Sequence, residues 1–243
     1  QKAAKAEGAA SSGGGPAQAV QTAQAARKTA DAPPEARRDG AAPENAAAAE
    51  NSGARVKRDI ILAGVGGQGV LSIAAIIAHA AVSAGLNVRQ SEVHGMAQRG
   101  GAVLAHLRIS DGPIASDLVP RGGADLIIAM EPLESLRYAA WLGPKGALVT
   151  ASEPFVNIPD YPAPEAVTGV IKRFPVYRLV DASALAKKAG HIRAVNMVMT
   201  GAASPFLPVS AETLENTISA MFAAKAPELA EINSKAFKLG REQ

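Results

Sequence analysis

Cysteine is absent from the 243 residues. That excludes disulfides, and it excludes any cysteine-ligated zinc or iron–sulfur centre held by this chain alone. Aromatic residues make up only 4% and all lie at or beyond Tyr138, so the first part of any core must pack with aliphatic side chains and Ala. The net charge is only +3. The one basic run is Arg55-Val56-Lys57-Arg58, with no aromatic residue interleaved, which argues against nucleic acid as a partner. The longest apolar helical run, Val70–Val82, is too short to span a bilayer and carries His79. There is no G-x-S-x-G nucleophile elbow and no lysine behind a phosphate-binding glycine loop. His79, His94, His106 and His191 stand at no metal-ligand spacing.

Residues 1–54 lack Leu, Ile, Met and aromatics, and Val20 is their only large aliphatic residue. Such a stretch cannot bury enough apolar area to offset the entropy of ordering it. It reads as a flexible tail or inter-domain linker, in which Ala46–Ala49 forms at most a transient helical turn. Its acids and bases balance, so the net charge belongs to 55–243. A start at Gln1 rather than Met suggests a fragment, a processed product or half of a fusion. No signal-type apolar region is present, and a cytoplasmic location fits. The remaining residues suffice for one domain with a real core.

The chain is organised around Asp59–Gly69, D-I-I-L-A-G-V-G-G-Q-G. Ile60 to Ala63 is the apolar run of a strand buried on both faces. Gly64, Gly66 and Gly69 follow at G-x-G-x-x-G spacing, with Gly67 and Gln68 in the variable positions. A helix from Val70 to Ala84 comes next. Strand, glycine turn and helix is the context that a dinucleotide fingerprint requires. Glycines let the chain turn sharply and let another group approach, and the free N–H groups at the helix start suit a phosphate or carboxylate. The same pattern also fits a tight turn that binds nothing.

Further along, strands are expected at Asn87–Val93, Ala102–Ser110, Asp125–Met130, Ala147–Ala151 and Val176–Val180. Ser72, His79 and Ser83 form the outward stripe of the first helix. Glu131-Pro132 opens a helix running to about Leu142, which Gly143-Pro144-Lys145-Gly146 ends. Residues 152–175, with five prolines, read as a long surface excursion. Asp181 or Ser183 caps a short helix ending at Lys187, Lys188 and Gly190. Helices follow at Arg193–Ala203, after Ser210, and after Pro227, where Leu229, Ile232, Ala236 and Leu239 share a face. Strands alternating with helices give an α/β fold, Rossmann-like, with a mostly parallel sheet and helices on both faces. The two strands around His94 are candidates for antiparallel pairing at one side.

The second informative stretch is Ser91–Gly101, S-E-V-H-G-M-A-Q-R-G-G, at a strand end where ligands bind in open α/β sheets. Arg99 suits a phosphate or carboxylate, and Gly100 beside it lets another surface approach. His94 can donate a hydrogen bond or move a proton, and Gln98 adds a polar contact. The plain alternative is a hairpin loop whose polar groups satisfy its own backbone. Glu92 lies near where a nicotinamide-dependent domain places its ribose acid, although its strand is not the usual apolar one. Asp125, Glu131 and Asp181 read as caps or strand ends.

Together, I-L-A-G-V-G-G-Q-G-V and S-E-V-H-G-M-A-Q-R-G-G-A-V resemble the gamma-type domain of 2-oxoacid:ferredoxin oxidoreductases, and the V-H-G-M-A-Q-R-G-G form is most similar to the beta subunits of its indolepyruvate branch. Arg193-x-x-Asn196-x-Val198-x-x-Gly201 resembles a third motif of the family, with Thr200 where many members have Leu. The resemblance covers about residues 57–240. It implies oxidative decarboxylation of an aryl 2-oxoacid with coenzyme A, giving an acyl-CoA, carbon dioxide and reduced ferredoxin. It implies thiamine diphosphate, magnesium and 4Fe-4S clusters on a large alpha subunit. This chain lacks both the cysteines and the G-D-G…N motif that such groups need, so it would be a non-catalytic, pocket-forming subunit. The interface or cofactor residues implied are Gly64, Gly66, Gly67, Gln68, Gly69, His94, Gln98, Arg99, Gly100 and Asn196. A stand-alone NAD(P)- or FAD-binding oxidoreductase and a purely structural adaptor remain the competing readings.

Overall fold

Ile60, Ile61, Leu62 and Ala63 are completely buried, and they alternate in direction. Ile60 and Leu62 enter one apolar cluster and Ile61 enters another. The strand that carries them, β1 (Lys57–Val65), therefore lies inside a sheet covered on both faces. The computed structural model describes residues 55–94, 100–156, 158–223 and 226–243, and for His94 the backbone alone. The expectations for 1–54 lie outside the described residues.

The sheet has six strands in the order β2-β3-β1-β4-β5-β6. The others are β2 (Asn87–His94), β3 (Ala102–Ser110), β4 (Ala124–Ala129), β5 (Leu142–Ala151) and β6 (Tyr177–Val180). The pairs β1–β4, β4–β5 and β5–β6 are parallel, whereas β3 is antiparallel to both β1 and β2. The antiparallel hairpin lies at one side, as its alternating sequence suggests. One face carries α1 (Val70–Ser83), α4 (Ala182–Ala189), α5 (Val195–Ala203), α6 (Ala211–Ala223) and α7 (Pro227–Arg241). The other carries α2 (Pro132–Arg137) and α3 (Pro164–Ile171).

Four expectations need correction. The helix opened by Pro132 stops at Arg137, a 3-10 turn follows at Ala139–Trp141, and β5 already begins at Leu142. Gly146 lies within β5, and a Cβ there would lie 2.8 Å from the Ala124 carbonyl oxygen. The register shifts between Ala124 and Leu126 at this point, so the glycine marks a bulge and not a helix end. The segment 152–175 is not all excursion: Pro164 starts α3, which buries Val167, Val170 and Ile171. β2 runs one residue further than expected, to His94. In α7 the expected stripe faces the core: Ala236 is buried and Ile232 and Leu239 pack against the same cluster, while Leu229 alone is 39% exposed. Beside that stripe α5 and α7 cross backbone to backbone. A Cβ on Gly201 would lie 2.0 Å from the Phe237 carbonyl oxygen, and one on Gly240 would lie 2.0 Å from that of Val198.

At the lower end of the sheet, where the parallel strands begin, Asp59 is buried. It accepts from Arg108 Nε at 2.7 Å and Nη2 at 3.0 Å, and Lys57 Nζ lies 2.8 Å away. Burial alone would raise this carboxyl, but the hydrogen bonds and charges of Arg108 and Lys57 outweigh it and hold the pKa below the usual range. Arg108 Nη1 also donates to the Ser116 and Leu118 carbonyls, which fixes the connection from β3 to β4.

Candidate functional site

β1 ends at Val65 and the chain must reverse into α1 at Val70. Gln68 closes that turn. Its Oε1 accepts from Val65 N (2.8 Å), its Nε2 donates to the Met130 carbonyl (3.4 Å), and its own N–H donates to the Val65 carbonyl (3.1 Å). Gly64 is required because a Cβ there would meet Val70 Cγ2 at 2.7 Å. Gly69 holds a φ of +78°, and its Cβ would meet Asn196 Nδ2 at 2.2 Å. That Nδ2 donates to the Gly69 carbonyl at 3.4 Å. Gly64, Gln68, Gly69 and Asn196 thus build the turn itself. Gly67 differs: it is exposed, its φ is +98°, and nothing lies within 4 Å of a Cβ placed on it. Gly67, Gly69 and Val70 donate none of the backbone hydrogen bonds found among the described residues. They stand at the N-terminus of a helix of 14 residues, which favours an approaching anion.

The structure brings this turn to the second sequence stretch. Gly66 N donates to the Gly101 carbonyl at 2.8 Å, and Val65 faces Ala102 across the β1–β3 ladder. His94 ends β2 opposite Val103, and Gly100 is exposed with φ +79°. The His94 side chain, Gln98 and Arg99 lie outside the described residues. Both motifs therefore meet at the upper end of the sheet. Asn196 joins them from α5. Its Oδ1 is buried without a partner among the described residues. Beside it lies a cleft of about 380 Å³ lined by Ser72, Arg193, Asn196, Met197, Phe222 and Ile232.

Glu92 does not occupy a ribose-binding position. It pairs with Ala105 on β3, and β3 separates its strand from β1. Two strand spacings of about 4.8 Å put it about 10 Å to the side. The fingerprint spacing alone could not show that the next strand in sequence is not the next in space.

Glu131 does more than the expected capping. Its Oε2 accepts from Glu134 N (2.8 Å) as the cap of α2. Its Oε1 accepts from Phe155 N (3.3 Å) and from the Tyr161 hydroxyl, so one buried carboxylate ties the Pro-rich excursion down beside Met130. Burial, then the hydrogen bond to Glu131 and its charge, raises the Tyr161 pKa. Burial also raises Glu134, although Arg137 Nε at 3.1 Å opposes it. Only the Glu-Pro pair at a strand end signalled any of this. Asp181 caps α4 through Ala184 N (3.0 Å), and Asp125 accepts from Asp59 N (2.8 Å), so both carboxylates are structural. No group of three or more His, Asp or Glu suited to a metal occurs among the described residues.

Residues 59–243 match the family model described as pyruvate ferredoxin/flavodoxin oxidoreductase. The indolepyruvate oxidoreductase subunit IorB of Archaeoglobus fulgidus is 39% identical over 198 residues, 77% of this chain and 96% of that protein. The solved gamma subunit of a keto/oxoacid ferredoxin oxidoreductase from Geobacter sulfurreducens shares 27% identity at a TM-score of 0.58, covering 77% of this chain and 95% of that one. The 2-oxoglutarate:ferredoxin oxidoreductase of Magnetococcus marinus, solved with 2-oxoglutarate, coenzyme A and succinyl-CoA bound, shares 25% identity at a TM-score of 0.62. That match covers 76% of this chain, which spans 30% of the longer polypeptide. With its glycine turn and second loop joined at one sheet end, the chain belongs to the pyruvate ferredoxin/flavodoxin oxidoreductase family, as a subunit of a 2-oxoacid oxidoreductase.

Proposed function

We propose that this chain is the small, beta-type subunit of a ferredoxin-dependent indolepyruvate or arylpyruvate oxidoreductase. With a large alpha subunit it would convert an aryl 2-oxoacid and coenzyme A into the aryl-acyl-CoA and carbon dioxide, passing an electron pair to ferredoxin. The observation that carries this reading is the 39% identity along nearly the whole Archaeoglobus relative. Residues 55–243 would form the working domain and 1–54 a tail or linker. With no cysteine in its sequence, the chain needs a partner to hold the iron–sulfur clusters. Thiamine diphosphate with its magnesium, which stabilises the carbanion formed on decarboxylation, would sit on that same partner.

The chain's own residues would act at the pocket wall. The open N–H groups of Gly67, Gly69 and Val70 suit a phosphate or carboxylate oxygen of coenzyme A, and Gly67 presents no side chain to obstruct it. Gln68 and Asn196 would hold that turn in shape. His94, Gln98, Arg99 and Gly100 would meet the partner or the cosubstrate and help exclude water.

Co-expression with the large subunit tests this reading. A brown complex that reduces ferredoxin with indolepyruvate and coenzyme A is expected, and the isolated chain should be colourless and inactive. Turnover by the isolated chain would refute it. In the complex, Arg99→Ala should raise the KM for coenzyme A or weaken assembly, and no change in either would remove Arg99 from the site. The competing nicotinamide or flavin reading is disfavoured by the displacement of Glu92. Tight binding of NADH, NADPH or FAD by the isolated chain would revive it.

A further inference from the structure

Three arginines converge on the short segment Ser204–Phe206, at the lower end of the sheet and away from the glycine turn. Arg178 on β6 donates through Nη1 to the Ala202 carbonyl at 3.1 Å, and its guanidinium lies over the Phe206 ring at 5.3 Å. Arg241, at the end of α7, donates through Nη1 to Ser204 Oγ at 2.9 Å. Arg58, on β1, donates through Nε to the Phe206 carbonyl at 3.2 Å. None of the three has a carboxylate partner among the described residues. Arg178 Nε is moreover buried without an acceptor among the described residues.

That nitrogen belongs to the edge of the guanidinium that pairs with oxyanions through two parallel N–H bonds. Leaving such a donor unmatched in a half-buried site is unfavourable. The neighbouring Arg241 adds repulsion, and burial and that charge both lower the Arg178 pKa. An anion would remove both penalties together. Neutral acceptors already occupy Arg178 Nη1, Arg241 Nη1 and Arg58 Nε, so the three side chains are held in place before any ligand arrives. Phe206 orders two of them at once, with its ring under Arg178 and its carbonyl bound to Arg58.

We propose that Arg178 and Arg241, with Arg58 across Phe206, form an oxyanion-binding site for a phosphate or carboxylate group. It is distinct from the pocket wall formed by the glycine turn and does not depend on that reading. The group comes either from a small free anion or from an acidic side chain of a bound subunit.

The test uses the full chain and, in parallel, the purified complex, both at constant ionic strength set with sodium chloride. Inorganic phosphate is titrated while the Nε–H resonance of Arg178 and the thermal midpoint are followed. A free-anion site predicts that the Arg178 resonance shifts saturably in the isolated chain. It also predicts that the midpoint rises by about 3 °C at tenfold saturation. A subunit carboxylate predicts that the resonance is already displaced in the complex and that phosphate no longer moves it there. Arg178→Lys keeps the charge but removes the two-pronged edge, and Arg241→Gln removes the second charge. Both should abolish the phosphate response while leaving the chain folded. The proposal is overturned if phosphate and chloride act alike on the isolated chain and the resonance is unchanged in the complex. It is equally overturned if Arg178→Lys responds like the parent.

Discussion

The two faces of the sheet are packed on different principles. On the face that carries α1 and α4–α7, the cluster consists of aliphatic residues, methionines and many alanines, with Phe237 fully buried and Phe206 and Phe222 partly buried at its border. Helices α5 and α7 touch through Gly201 and Gly240, so backbone meets backbone. On the face that carries α2 and α3, the aliphatic cluster is bordered by the partly buried rings of Tyr138, Trp141, Tyr161, Phe174 and Tyr177. Tyr138 and Trp141 meet edge to face at 5.7 Å, and Arg121 lies 4.8 Å over Trp141. Where α5 and α7 cross, the first face leaves no volume for an added Cβ. The second is closed by side chains that reach solvent and can adjust.

Breaking the tight face should have the largest effect. Gly201→Ala places a Cβ 2.0 Å from a backbone oxygen that cannot move alone, so a loss of at least about 3 kcal/mol is expected in chemical denaturation. A loss below about 1 kcal/mol would show that α5 and α7 separate easily.

Next in size is Asp59→Asn, which strands Arg108 and Lys57 around a neutral group and should remove about 3 kcal/mol near neutral pH. The folded pKa of Asp59 is depressed. Its stabilisation is therefore complete above the unfolded value of about 3.9 and is lost as pH falls through the lower folded value. Denaturant midpoints measured through that acid range should fall more steeply in the parent than in the variant. Parallel curves would count against the Asp59–Arg108–Lys57 cluster as the source.

On the aromatic face, Tyr161→Phe keeps the ring and deletes the bond to Glu131, so about 1 kcal/mol is expected. A much larger loss would mean that the excursion is fastened at this point alone. An equally small effect on folding belongs to Gly67→Ala. Its positive φ costs about 1 kcal/mol with no clash, so any marked rise in the KM for coenzyme A in the assembled enzyme would support the proposed pocket wall and could not be assigned to the fold.

The regular parts of this fold were legible where one local signal sufficed. Ile60–Ala63 announced a strand covered on both faces, and the alternating residues of Ala102–Ser110 announced another strand. Asp181, Ser210 and Gly190 marked helix ends correctly, because a cap depends on atoms within a few residues. Legibility failed where the deciding neighbour was distant in sequence. Gly146 looked like a helix stop because the Ala124 carbonyl that it admits is 22 residues earlier. The apolar stripe of α7 was legible apart from Leu229, but the backbone contact of Gly240 with Val198 on another helix was not. In the candidate site, the glycine spacing was visible, but its division of labour was not.

By itself, the sequence determined that this chain cannot hold a cysteine-ligated cluster, that its central strand is buried, and that two glycine-rich stretches carry its family likeness. These properties reside in residue types and short spacings. Only the tertiary structure decided that β3 sits between β1 and β2, that Gly66 and Gly101 bond, and that Asn196 explains Gly69. It alone gathered Arg58, Arg178 and Arg241 around one phenylalanine. Each of those facts is a contact between distant residues, and strand order and helix crossing, which set such contacts, come from the whole core finding one arrangement that fills space and pairs its polar groups.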